Sequence, residues 1–352
     1  MKALQNIERV QINAEMMLRL LTLYEFKGKS FYYDDLFSRD HVAFSKKAEE
    51  KDIIAIAKYL DLKMTDAKIK LYAKKNMTPH TKDEHLLHNV KHALHQLRTG
   101  LDDFELLVNE VGNLLKLLSR HADPISFNPS TSQHEGMLGS KTKQGKRDDL
   151  EALMHLYDKH EREKKHELTQ LIISFYVDFL NMKIVSAYET LIASILLFAM
   201  VARRFGVFKY VSFFTYFVNV KNAWDNSFIS ASYYWDQGYP QIDMLNRLLV
   251  SILLDSYKEI DAFAHEYAFE KKLNKSDNLE NSILKLPEIF SKNDLRKRHP
   301  NVSDATIDRT LKRLRDENKI RPLGTGRSAK WQRIISGNKK LSVEQLSLFD
   351  HH

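Results

Sequence analysis

Residues 290–333 read FSKNDLRKRHPNVSDATIDRTLKRLRDENKIRPLGTGRSAKWQR, and they decide both the C-terminal fold and the charge of the chain. Ser291 and Asp294 have capping-box spacing, each side chain placed to satisfy the other's main-chain amide at a helix start. Leu295 is the apolar anchor of that short helix. His299-Pro300-Asn301 ends it, because proline cannot continue a helix. Ser303 is placed to cap a second helix, on which Ile307, Leu311 and Leu314 recur at core-facing spacing. At about 100° per residue, Ala305, Arg309, Lys312 and Asp316 fall on the other side, with Arg313 flanking them. Ile320 then opens a strand, Gly324-Thr325-Gly326-Arg327 makes a tight basic turn, and Trp331 lies on the return strand. Helix, turn, basic helix and hairpin is the order of a winged helix-turn-helix. That module places one helix in the major groove and an arginine-bearing wing near a phosphate or the minor groove.

The same 44 residues hold 13 Lys and Arg against 5 Asp and Glu, a difference of +8. The whole chain also carries a formal +8, so everything outside the stretch sums to zero. Positive charge confined to one small module is the footprint of a phosphate-backbone binder. The residues expected to meet DNA are Ser303, Arg309, Lys312, Arg313, Arg327 and Lys330.

Working outward, 352 residues are enough for two or three domains and a sizeable core. With 7 prolines and 11 glycines the chain reads as mainly α. The absence of cysteine excludes a disulfide framework and thiolate metal sites. No apolar h-region follows the N-terminus, so a cytoplasmic protein is expected. Thr190–Ala202, the longest uncharged apolar run, has 13 residues. A bilayer span needs about 20, so the run reads as a buried helix and no membrane partner is expected.

Residues 1–121 read as a helical N-terminal region. Residues 122–147 carry Pro124, Pro129, Gly136, Gly139 and Gly145 among polar residues and read as a flexible loop. Residues 148–273 form a densely apolar helical block. A polar linker, Asn274–Asn281, leads to the winged helix at 282–335, and 336–352 reads as a flexible tail.

Within that block, Leu168–Leu254 resembles the Fic family (the Fido fold). Phe179 begins the frame of the family signature. Ile192-Ala193-Ser194-Ile195-Leu196-Leu197-Phe198 stands where its leucine-rich helix lies, Val211-Ser212-Phe213-Phe214 resembles the next hydrophobic segment, and Asn222–Tyr234 resembles the later aromatic helix. The likeness runs over roughly 150–335, since many Fic proteins also close on a winged helix. It implies a Fic-like helical core and an ancestral transfer of AMP or another phosphate-linked group onto a protein hydroxyl. The signature histidine, glycines and final arginine are missing. The frame reads Lys183-Ile184-Val185-Ser186-Ala187-Tyr188-Glu189-Thr190-Leu191, with Lys183 at the histidine that deprotonates the target. Tyr188 and Thr190 replace the loop glycines, and Leu191 replaces the arginine. A main-chain nest around a pyrophosphate needs residues that accept unusual dihedrals and close approach. No glycine occurs between Gly145 and Gly206, so a shifted alignment does not restore the loop. The resemblance thus implies a pseudoenzyme with no catalytic residues and no cofactor. The family's inhibitory motif has an analogue in Glu25-Phe26-Lys27-Gly28, with Lys27 at the glutamate, and the string Thr131–Gly136 fits its form by composition alone.

Other patterns point to surfaces. His85, His88, His92 and His95 share one helix face, about 180° from Leu87, Val90, Leu94 and Leu97, and are expected to meet solvent or a partner; no metal site is expected. Gly139–Arg147 has the wrong spacing for a phosphate-binding loop. Phe205, Phe208, Tyr210, Phe213, Phe214, Tyr216 and Phe217 read as core or as a self-association surface, which would make a homodimer. In the tail, Gln345-Leu346-Ser347-Leu348-Phe349 resembles the pentapeptide by which bacterial proteins dock on the DNA sliding clamp. There Leu346, Leu348 and Phe349 would fill an apolar pocket while Gln345 fixes orientation. The expected function is that of a catalytically degenerate, DNA-associated regulator or adaptor, with DNA and the clamp as partners. The alternatives are a Fic-type transferase with a non-standard site and a structural scaffold.

Overall fold

The structure, a computed structural model, describes residues 1–101, 104–135, 141–272, 275–300, 302–324 and 329–334. It divides into two compact units, Met1–Ala264 and His265–His352.

The first unit is helical. Its elements are α1 (Lys2–Gln5), α2 (Ala14–Gly28), α3 (Ser30–Phe37), α4 (His41–Tyr59), α5 (Asp66–Lys74), α6 (Lys82–Thr99) and α7 (Val108–Leu118). Strands β1 (Pro129–Glu135) and β2 (Lys141–Gly145) follow, then α8 (Lys146–Glu163), α9 (Leu168–Asn181), α10 (Glu189–Arg204), α11 (Phe213–Asn219) and α12 (Lys221–Ser232); α13 (Asp243–Lys272) begins in this unit and runs past its end at Ala264. Helices α9 and α10 are the centre of the core. Every residue from Thr169 to Leu180 and from Leu191 to Ala202 is buried. A helix apolar all round belongs inside a protein, so Thr190–Ala202 is the buried helix its composition suggested. Arg203 and Arg204 sit in its last turn, where positive charge suits the helix dipole. No described helix is long and apolar enough to cross a membrane.

Two buried carboxylates tie distant elements to this core. Asp178 on α9 accepts from the Ala3 and Leu4 amides at 2.8 and 2.9 Å and from the Trp235 indole at 2.6 Å. Burial raises its pKa, and these donors oppose the rise. Asp52 on α4 accepts from the Ser212 hydroxyl at 2.6 Å, the Phe214 amide at 2.9 Å and the Arg98 guanidinium of α6. Fully satisfied buried charges of this kind fix one packing, because removing any donor leaves an unpaired ion.

Residues 122–147 are not all loop. Strands β1 and β2 pair antiparallel, with Gln133 opposite Lys143 and Glu135 opposite Lys141. The five rings of Phe205, Phe208, Phe213, Phe214 and Phe217 are all buried. They are core, and Tyr210 and Tyr216 beside them are only half-buried. The five phenylalanine rings are therefore not available to a second copy.

The second unit runs α14 (Lys275–Leu284), β3 (Ile289–Ser291), α15 (Lys292–Arg298), α16 (Asp304–Asp316), β4 (Ile320–Pro322) and β5 (Lys330–Arg333). The strands form an antiparallel sheet in the order β3-β5-β4, with Trp331 opposite both Phe290 and Pro322. The capping box of Ser291 and Asp294 is complete, and Ser303 accepts from the Thr306 amide. Leu279, Ile283, Leu286, Phe290, Leu295, Ile307, Leu311, Leu314 and Ile320 form one core, with Val302 and Trp331 packed against it. The expected polar linker is thus mostly helix α14. Leu279 and Ile283 recur one turn apart and supply a wall of the core, so this unit is built from residues before 282.

Candidate functional site

The Lys183–Leu191 frame falls on the turn between α9 and α10, and the turn is held from the side by the segment entering β1. The Asn128 amide group donates to the carbonyls of Lys183 at 2.9 Å and Val185 at 2.8 Å, while its main-chain N–H donates to Ile184 at 2.9 Å. The Ser186 amide donates to the Ser126 carbonyl at 2.9 Å, and the Ser126 amide returns a bond to the Ser186 hydroxyl at 3.0 Å. Phe127 and Val185 complete a bridge. Ile184 and Val185 are buried.

Two residues of this turn have left-handed backbones, Lys183 at φ 49° and Tyr188 at φ 51°. Glycine takes that conformation freely and a side chain strains it. The turn thus keeps a shape that glycine favours, yet fills it with bulk. Two of its amides are engaged by main-chain carbonyls. Lys183 donates to Leu180 at 3.1 Å and Ser186 to Ser126. Tyr188 caps α10 without a side-chain bond, and the first helical residue is Glu189. Burial pushes the Glu189 carboxyl up to about 7, opposed by the Ile184 amide and by Lys183. Its Oε1 is buried and has no hydrogen-bond partner among the described residues. A helix N-terminus attracts anions; here the first helical residue is itself acidic, and its carboxyl meets the Ile184 amide of the preceding turn. Beside it lies a cavity of about 430 Å³ lined by Leu180, Asn181, Lys183, Thr190, Phe228 and Tyr233. Thr190 meets the Tyr59 hydroxyl, and Leu191 is buried. Lys183 offers a point charge at the mouth of the cavity, with no imidazole to take a proton.

In the second unit the expected DNA residues divide. Ser303 is exposed and occupied as the cap of α16. Arg309 is exposed and bonds only back to the Ala305 carbonyl; Lys312, one turn on, is exposed with no ion pair among the described residues. Lys330 is exposed on β5. Arg313 differs. It is half-buried and bridges Glu280 of α14 at 2.6 Å and Glu317 at 3.1 Å. Glu280 also takes Lys319 at 2.6 Å, and these partners hold its carboxyl below the usual range. Lys292 pairs with Asp308 and Arg296 with Asp304. Lys297 and Arg298, at the end of α15, are exposed and unpaired among the described residues. Sequence reasoning passed them over, although three consecutive basic residues just before Pro300 were in view. Arg327 lies outside the described residues, as do Gln345, Leu346, Leu348 and Phe349.

The histidine face on α6 is partly drawn in. His88 is half-buried, its pKa lowered by burial and by His92, whose ring centroid is 4.7 Å away. No group of three or more His, Asp or Glu among the described residues is arranged to hold a metal. Lys27 lies over the Tyr24 and Phe205 rings at the end of α2.

No protein-family model and no curated protein matches this sequence. Solved structures do. A Fic family protein from Desulfovibrio desulfuricans is 11% identical with a TM-score of 0.55, over 94% of this chain and 99% of that one. A Fic domain containing signaling protein from Bacteroides thetaiotaomicron is 12% identical with a TM-score of 0.52, over 70% of this chain and 98% of that one. At such identities the likeness establishes the fold. This chain has the fold of Fic-domain proteins, mainly α with a small C-terminal unit closed by a short hairpin.

Proposed function

We propose that this chain is a catalytically degenerate Fic-like protein that works at DNA as a cytoplasmic regulator or adaptor. The observation that carries the reading is the turn between α9 and α10. Its side chains are bulky at the left-handed positions, its carbonyls are gripped by Asn128, and Glu189 occupies the helix start. A triphosphate needs open amides and positive potential at that place; here the Lys183 and Ser186 amides are already engaged, and the Glu189 carboxyl stands beside Lys183, the one cation among the described residues lining the cavity.

DNA binding rests on the second unit, whose element order is that of a winged helix. Ala305, Arg309 and Lys312 form the outward face of α16, and the unpaired Lys297 and Arg298 add charge that could meet the backbone. Phosphate contacts supply most of the affinity and make it salt-dependent. The tail pentapeptide 345–349 docks the protein on the sliding clamp. Deleting it abolishes clamp pull-down, and a complex that persists removes that part of the reading. Titration of a labelled duplex at several salt concentrations tests DNA binding. An affinity unmoved by salt, or by replacing Arg309 and Lys312, refutes it.

One observation favours the rival, a transferase with a non-standard site. Glu189, with a carboxyl poised at about 7, borders a cavity at the ancestral active site. Such a group is suited to taking a proton from a hydroxyl. Transfer of label from ATP to a protein, lost on Glu189→Gln or Lys183→Ala, would establish the rival.

A further inference from the structure

A second and larger cavity, of about 780 Å³, opens in the first unit among α4, the end of α5 and α6. None of its lining residues belongs to the turn between α9 and α10. Five basic side chains line it, Lys46, Lys74, Lys91, Arg98 and Lys209, of which Arg98 is paired with Asp52 and Lys209 lies near Asp34; the lining acids are Glu49 and Glu50. We infer that this cleft is a binding site for a small, multiply phosphorylated anion of nucleotide size.

The base of the argument is Arg98. Its side chain is 2% exposed, an extreme burial for a guanidinium. One terminal nitrogen meets Asp52 and the other the Phe208 carbonyl. Its Nε is buried and has no partner among the described residues. A buried donor without an acceptor costs about 1–3 kcal/mol, so an arginine packed this way gains from any acceptor that reaches it. Lys91 is fixed beside the cleft by the carbonyls of Tyr72 and Lys75, at 2.9 and 3.0 Å. Two neutral acceptors position that ammonium without neutralising it. Lys46 and Lys74 are exposed and have no ion pair among the described residues. Lys209 is 3.4 Å from Asp34, a loose contact.

Glu49 and Glu50 offset part of this charge, both acting on Lys91. Glu49 accepts from His95 at 3.0 Å, which leaves Glu50 as the acid without such a contact. His92 and His95, two members of the helix face singled out in the sequence, are exposed as expected and border the cleft, and His41 joins them from α4. Ser45, Asn76 and Thr99 add neutral hydrogen-bonding groups for phosphate or sugar oxygens. The size fits one small ligand, since such pockets span about 300–1,000 Å³. Several lysines around a concavity suit several phosphates, each met as a point charge. A duplex or an acidic peptide would instead call for an extended groove.

Calorimetry of the full chain with inorganic pyrophosphate at fixed ionic strength tests the inference. The expected result is one site per chain, weakened at least about tenfold in Lys46→Glu/Lys74→Glu, as loss and reversal of two phosphate-facing charges requires. Both lysines are exposed, so the double variant should fold, and unchanged thermal melting and DNA binding verify that it does. Lys183→Ala should keep pyrophosphate affinity, which separates this cleft from the ancestral groove. No measurable heat, affinity unchanged in the double lysine variant, or affinity lost in Lys183→Ala would each overturn the inference.

Discussion

The turn between α9 and α10 and the helix α16 both carry donors of the kind that can meet phosphate, and they use those donors in opposite ways. In the turn, Lys183 and Ser186 amides bond to the protein's own carbonyls, and Asn128 closes the far side. On α16, Arg309 and Lys312 are exposed with no carboxylate engaged among the described residues, while Arg313, one residue on, is taken by Glu280. The comparison teaches that residue type alone does not mark a phosphate site. What matters is whether the donor has already found an acceptor within the fold. A satisfied donor holds structure together, and an unsatisfied exposed one remains available to a partner.

Breaking the outward side should have the largest effect. Arg309→Glu/Lys312→Glu is expected to weaken duplex binding on the order of a hundredfold, and the corresponding alanine pair should lower the salt slope by about 2. Filter binding across a salt series reads both, and an unchanged slope would detach α16 from DNA. On the inward side, Asn128→Ala leaves the exposed Lys183 carbonyl and the part-buried Val185 carbonyl without their donor and should cost about 1 kcal/mol in urea unfolding. A cost below about 0.5 kcal/mol would mean the turn is not held from this side. Arg313→Ala sharpens the contrast within one helix. It should lower stability by about 1 kcal/mol, discounted for the partial exposure of its ion pairs, yet change DNA affinity much less than the Arg309 and Lys312 replacements. An equal loss of affinity would return Arg313 to the binding face.

The smallest effect concerns Glu189. Its carboxyl ordinarily titrates at 4.5 but is raised to about 7 in the folded chain. Between those values the unfolded chain holds fewer protons, so native stability falls as pH rises through the window. Glu189→Gln should flatten that slope, a change on the order of 1 kcal/mol after screening by solvent. Parallel unfolding curves of the two proteins from pH 4.5 to 7.5 would contradict the burial of this group.

The sequence was legible wherever apolar spacing carried the structure. Ile307, Leu311 and Leu314 announced α16, and Leu191–Ala202 announced a helix buried on all sides. The pairing of β1 with β2 left no such trace, because Ser-Thr-Ser-Gln and Lys-Thr-Lys-Gln have no alternating apolar face and the strands meet through main-chain bonds. Helix α14 was hidden by its polar residues, although Leu279 and Ile283 show the one-turn spacing that buries them. The inward role of Arg313 was hidden for a different reason. Its acceptor, Glu280, is 33 residues away, and no local pattern reveals a charge pair of that separation. The lack of glycine across Lys183–Leu191 was plain in the sequence, but the grip of Asn128 on the turn was not.

The most direct test of the central claim uses the full chain, magnesium and ATP labelled on its α-phosphate, with bacterial lysate proteins as acceptors. A turn closed by its own hydrogen bonds predicts no label on any protein, in wild type or in Lys183→Ala. Label transferred by the wild type and lost in Lys183→Ala would contradict it.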